Sequence, residues 1–159
     1  MAAKQRTKAN TKASKTSADI LVAGGGYVGL CVAVSIKASA PHLDVHVVDP
    51  APEEALQNDE RASAIAQAAK NMLDQLGIWH ELGPTSQPIN EMIVTDSKVA
   101  DVARPVFLTF ANEGNVAENG VEEPFAYMVE NRLMVGALRR RAAELGVVRV
   151  QDESATGFE

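Results

Sequence analysis

Asp19-Ile20-Leu21-Val22-Ala23-Gly24-Gly25-Gly26-Tyr27-Val28-Gly29 is the stretch that decides the architecture of this chain. Ile20 to Ala23 are apolar and run straight into three glycines, as a buried parallel strand does where it enters a tight turn. From Tyr27 to Ala40 the residues are small or apolar on nearly every side, which predicts a helix buried between layers and ended by Pro41. Val45-His46-Val47-Val48 reads as the next strand. A strand, helix and strand joined this way lie with parallel strands and a right-handed crossover.

Gly24, Gly26 and Gly29 occupy the three fixed positions of the Gly-x-Gly-x-x-Gly pattern, and each has its own task. The first allows the turn out of the strand, the second lets the backbone approach a pyrophosphate, and the third lets helix and strand pack closely. The helix N-terminus supplies unpaired N–H groups for the phosphates. Asp49 ends the second strand 20 residues after Gly29. An acid there accepts hydrogen bonds from ribose hydroxyls and repels a 2′-phosphate, so the pattern points to FAD or NAD rather than NADP.

Further along, Ile65, Ala69, Met72, Leu73 and Leu76 recur at helical spacing, predicting a helix of about four turns closed by Gly77. After Pro84 the pattern changes to short apolar runs: Met92 to Val94, Val106 to Phe110 and Ala126 to Val129. These read as strands of a second sheet. Asn131 is placed to cap a helix whose apolar positions are Met134, Leu138, Ala142 and Leu145, with Arg139, Arg140 and Arg141 as a solvated, dipole-compensating face. Gly146 ends that helix, and Val147 to Val150 begins another strand.

Composition narrows the function classes. A chain of 159 residues, 46% of them hydrophobic, supports one globular domain. Residues 1 to 18 hold five basic groups and no acid, leaving ten basic against 21 acidic residues in the remainder. An acidic body without clustered Lys and Arg argues against a nucleic-acid partner. The basic stretch lacks the bulky apolar residues of a transit peptide and reads as a disordered tail. The lone Cys31 excludes an internal disulfide, no Cys or His cluster suggests a metal, and the isolated His42, His46 and His80 read as surface or packing residues. No apolar run reaches the length of a membrane span.

The glycine pattern alone does not separate FAD from NAD, and Gly26-Tyr27-Val28-Gly29-Leu30 is also similar to the NAD loop of nucleotide-sugar dehydrogenases. The residues beyond Asp49 discriminate. Asp59-Glu60-Arg61-Ala62-Ser63-Ala64-Ile65-Ala66, then Leu76-Gly77-Ile78-Trp79 and Pro88-Ile89, then Glu130-Asn131-Arg132-Leu133 with Leu138 beyond it, stand in one order. That series resembles the ubiquinone-biosynthesis hydroxylases, a branch of the FAD-dependent aromatic-ring monooxygenases. The resemblance runs from about Ala18 onward. Two positions depart from it: that family commonly has Glu where Asp49 stands and Met where Tyr27 stands.

The resemblance implies an α/β fold, with a Rossmann-like βαβ FAD-binding unit on a parallel sheet and part of a second, mixed or antiparallel, substrate-side sheet. It divides the chain into a tail (1–18), the unit binding the ADP moiety of FAD (19–82), part of the substrate-side sheet (83–130) and a return to the FAD-binding domain (131–159). Gly24, Gly26, Gly29 and Asp49 would hold the ADP end. Arg61 would lie over the flavin side, and Arg132 would contact the ribityl or pyrophosphate region. An arginine fork suits an anionic diphosphate.

In such enzymes NAD(P)H reduces the flavin and oxygen then hydroxylates a phenolic ring. The implied substrate is a small aromatic molecule such as a polyprenyl phenol, and the implied location is the cytoplasm with peripheral association at the inner membrane. No residue here offers itself as acid, base or nucleophile. The family's downstream Asp-Gly and Gly-Asp elements do not occur after Val150, so the expectation is an N-terminal fragment that does not turn over alone. An NAD-dependent dehydrogenase domain and a noncatalytic nucleotide-binding module are the competing readings.

Overall fold

The computed structural model describes residues 17–56, 58–111, 120 and 123–156. The basic tail falls almost entirely on residues 1–16 and lies outside the described residues.

The opening stretch folds as its pattern demands. Strand β1 (Ile20–Ala23) leads through the glycine turn into helix α1 (Tyr27–Ser39), and strand β2 (Val45–Asp49) returns parallel to β1, pairing Ile20 with Val45 and Ala23 with Val48. Strand β8 (Val148–Gln151) adds to the far side of β2, also parallel, so β2 is the central strand. That position explains why Val45, Val47 and Val48 are buried and why His46 is carried inside with them. His46 is accommodated by Asp44, whose carboxylate oxygens both stand 3.1 Å from its Nε2. Burying a ring nitrogen without such a partner would be costly.

Helix α4 (Asn131–Glu144) packs against α1, and the two helices form the centre of the core. Leu30, Ala33 and Val34 of α1 and Met134, Ala137, Leu138 and Ala142 of α4 are sealed from solvent. Small residues at Ala33 and Ala137 let the helices approach closely. The expectation that α1 is enclosed on all sides is met on one face only: Val28 is 64% and Val32 45% exposed.

The chain also forms a second, antiparallel sheet. Strand β3 (Ala62–Ala66) runs antiparallel to β7 (Ala126–Glu130), and β7 pairs on its other side with β4 (Gln87–Ile89). This corrects two readings. The four-turn helix beginning near Ile65 is instead β3 followed by a shorter helix, α2 (Gln67–Gln75). Ile65 satisfies both helical spacing and strand alternation, and pairing with Tyr127 decides in favour of the strand. The later strands also do not share one sheet: β5 (Glu91–Thr95) and β6 (Val106–Ala111) pair only with each other, and every residue in both is exposed. The antiparallel sheet straddles the division expected at residue 83.

Gly77 closes α2 with φ +74° and admits α3 (Trp79–Leu82). Trp79 meets Tyr127 edge-on at 5.0 Å, locking this helical segment onto β7. The arginine triplet does more than offset the helix dipole. Arg141 donates from Nε to the Leu76 carbonyl at 3.0 Å, and Arg140 pairs with Glu81, so α4 is tied to the α2–α3 corner. Asn131 is the first helical residue rather than the cap; Glu130 takes the N-cap position and makes no side-chain capping bond.

Candidate functional site

The glycine turn forms one wall of an open cleft of about 830 Å³ lined by Gly24, Gly26, Tyr27, Arg61, Ser63 and Asn131, among others. Gly24 has φ +105°, a conformation that residues with a Cβ rarely adopt, and its N–H bonds to the Val48 carbonyl at 2.8 Å. A methyl group on Gly29 would stand 2.0 Å from the Gly24 carbonyl oxygen, so helix and strand can cross here only without a side chain. Gly26 is different: a Cβ added there would meet nothing within 4 Å. The space beside it is open, and Gly26 lines the cleft. No side chain caps α1, and its first turn carries no acid, so its leading N–H groups are available to an anion.

Asp49 does not line the cleft. Its carboxylate sits behind the turn, taking the Gly25 N–H on Oδ2 at 2.6 Å and the Ala51 N–H on Oδ1 at 2.8 Å. It therefore joins the site through Gly25, a residue the Gly-x-Gly-x-x-Gly pattern leaves unspecified.

Arg61 does face the cleft, with its side chain 80% exposed. Asp59 holds it in a two-pronged pair, Nε to Oδ1 and one terminal nitrogen to Oδ2, each at 2.8 Å, and also takes the Arg61 N–H at 3.1 Å. The Arg61 side chain, then its backbone N–H, hold the Asp59 carboxyl down at about 2. Asn131 is buried beside them. Its N–H donates to the Arg61 carbonyl at 2.9 Å, its Oδ1 accepts from Ser63 Oγ at 2.7 Å, and its side chain further favours ionised Asp59. The sequence pattern assigns no role to Asp59, Ser63 or Gly25 and makes Asn131 a cap. Asp59 is the legible one of these, since an acid two residues before an arginine invites a local pair.

Arg132 lies in a separate polar hollow of about 280 Å³ with Asp59, Glu60 and Glu130, where its Nε bonds Glu130 at 2.5 Å. The structure thus brings Gly24, Gly26, Gly29 and Arg61 onto one cleft, attaches Asp49 from behind, and places Arg132 next door with Asp59 as the shared wall. Cys31 belongs to neither. It lines an apolar hollow of about 420 Å³ with Val32, Met72 and Met134, and burial pushes its thiol pKa up, opposite to what a nucleophile needs. A dinucleotide diphosphate fits what is present: an uncapped helix start, open space at Gly26 and an arginine across the cleft.

No family model matches this chain. Among curated proteins, ubiquinone hydroxylase UbiL of Rhodospirillum rubrum is 40% identical over 131 residues, covering 80% of this chain and 28% of that protein. The mitochondrial ubiquinone biosynthesis monooxygenase COQ6 of Danio rerio is 27% identical over 136 residues, covering 80% of this chain and 26% of that protein. Among solved structures, p-nitrophenol 4-monooxygenase PnpA of Pseudomonas putida superposes with a TM-score of 0.63 at 15% identity over 84% of this chain and 31% of its own. The flavin-dependent monooxygenase PieE, solved with FAD and substrate, superposes with a TM-score of 0.57 at 17% identity over 87% of this chain and 24% of its own.

The fold is the Rossmann-like FAD-binding fold of the flavin-dependent monooxygenases. Within that class its curated sequence relatives are ubiquinone-biosynthesis hydroxylases, and the chain spans little more than a quarter of the length of those relatives. The dehydrogenase reading is not favoured by these relatives.

Proposed function

We propose that this chain holds the ADP end of FAD for an aromatic-ring hydroxylation in ubiquinone biosynthesis. The observation that carries the reading is the shared cleft of the glycine turn and Arg61, in a chain 40% identical to a ubiquinone hydroxylase. FAD, when bound, supplies the redox chemistry of the hydroxylation, with NAD(P)H as the electron donor.

This chain's residues bind and orient. Gly26 admits the pyrophosphate to the backbone, the start of α1 and Arg61 meet its charge, and Gly24 and Gly29 fix the turn. Asp49 accepts from the adenosine ribose, which requires its carboxylate to share oxygens that already receive Gly25 and Ala51. Arg132, across Asp59, reaches toward the ribityl or pyrophosphate region once Glu130 yields it. The substrate is a phenolic ring of the polyprenyl class, met at the membrane surface by a cytoplasmic, peripherally associated enzyme. Residues 19–82 and 131–159 serve the cofactor and 83–130 the substrate side.

The test is to heat-denature the purified chain and identify the released nucleotide by chromatography, alongside the same protein carrying Asp49→Lys. FAD released from the parent and absent from the variant is expected. Release of NAD instead would overturn the reading.

A further inference from the structure

Arg61 is bonded in a way that settles which of its edges can meet a ligand. A guanidinium carries five N–H donors in a rigid plane. Asp59 takes the Nε–H and one hydrogen of the terminal nitrogen on the same edge, so three donors remain, and two of them stand side by side on the edge formed by the two terminal nitrogens. The backbone on either side is fixed as well: the Arg61 N–H is held by Asp59, and its carbonyl by the N–H of Asn131. Asn131 in turn is buried and bonded through its side chain to Ser63, and that side chain favours the ionised Asp59. A flexible, exposed arginine is thereby anchored at four points beside the glycine turn.

We propose that Asp59 and Asn131 are positioning residues that hold Arg61 so that its outer edge presents a two-pronged donor to one oxyanion group of a diphosphate in the cleft. This rests on the cofactor reading and assigns to two residues of the cleft wall work done through Arg61. The bland alternative makes the opposite forecast. If Asp59 merely neutralises a surface arginine, it competes with the anion and adds a repelling charge, and removing it should tighten binding. If it orients Arg61, removing it frees the side chain, and the lost preorganisation weakens binding.

The experiment is a titration of the 159-residue chain with FAD and, separately, with ADP, using Asp59→Asn, Arg61→Ala and the double variant. A circular dichroism melt of each confirms folding. Asp59→Asn is expected to weaken both ligands by about tenfold in the parent background and by less than about twofold when Arg61 is already alanine, because a positioning residue has nothing left to position. Equal or tighter binding by Asp59→Asn overturns the inference, as does a loss of the same size in both backgrounds, which marks a purely structural role. A parent chain that binds neither FAD nor ADP overturns the cofactor reading together with this one. Binding by the parent that is indifferent to Asp59 overturns this one alone.

Discussion

The Gly25 amide nitrogen lies 2.6 Å from Oδ2 of Asp49, joining the turn after β1 to the end of β2 across 24 residues. The contact is close enough to dictate residue type. A Cβ on Gly25 would stand 2.5 Å from that same oxygen and 3.0 Å from the Asp49 Cβ. The acid at the end of β2 thus stabilises the shape of the glycine turn.

Gly25→Ala is therefore expected to force the turn away from β2, costing about 1–3 kcal/mol as overpacking does. Asp49→Ala should cost about 2 kcal/mol, because it orphans the N–H of buried Gly25. Urea denaturation followed by emission of Trp79, the single tryptophan, reads both. Unchanged midpoints in either variant would show that the contact contributes nothing.

Gly29→Ala is expected to be worse. Its methyl would meet a backbone oxygen at 2.0 Å, and neither β1 nor α1 can yield without disturbing the core at Leu30. A loss of about 3 kcal/mol or more is expected. A chain that keeps its parent midpoint would contradict the packing described for β1 and α1.

Asp59 gives stability a pH signature. Its carboxyl is held at about 2, first by the Arg61 side chain and then by the Arg61 N–H, against an ordinary value of 3.8. A depressed carboxyl stabilises the fold fully above its ordinary value, and that contribution is lost as pH falls toward 2. The stability gap between the parent and Asp59→Asn should accordingly be constant from pH 7 to 5 and narrow between about pH 4 and 2. A gap independent of pH over that range would mean that Asp59 and Arg61 are unpaired in solution.

Cys31 should behave as a protected thiol. Burial raises its pKa, and its hollow is almost wholly apolar, so an aromatic disulfide reagent at neutral pH is expected to modify the native chain at least about tenfold more slowly than the urea-unfolded chain. Equal rates would place a reactive thiolate on α1 and revive the dehydrogenase reading.

Legibility tracks the range of the interactions. The β1 to α1 to β2 unit is readable because its strands are continuous apolar runs and its turn is spelled in glycine, both local signals. Ala62 to Ala66 is not, because Ala-Ser-Ala-Ile-Ala has weak preferences of its own and becomes a strand through Met128 and Tyr127, more than 60 residues away. For the same reason the partition of the later strands into the β3-β7-β4 sheet and the β5–β6 hairpin is invisible locally. At the site, Gly24, Gly29 and Arg61 can be placed from motif and resemblance. Asn131 cannot: its importance lies in being buried against Ser63 and the Arg61 carbonyl, and nothing in Glu130-Asn131-Arg132 announces a long-range bond.

The central claim is that the glycine turn receives the diphosphate of FAD, and Gly26→Ala tests it most directly. The residue has an ordinary φ of −71°, and its missing Cβ points into open space, so the fold should accept alanine within about 0.5 kcal/mol. Calorimetric titration with FAD, paired with a thermal melt of the same samples, separates folding from binding. The expected result is a parent chain that binds FAD and a variant with the same melt whose affinity falls by about tenfold or more, since the methyl would stand where the phosphate approaches. A variant that binds FAD as the parent does would show that the cofactor lies elsewhere.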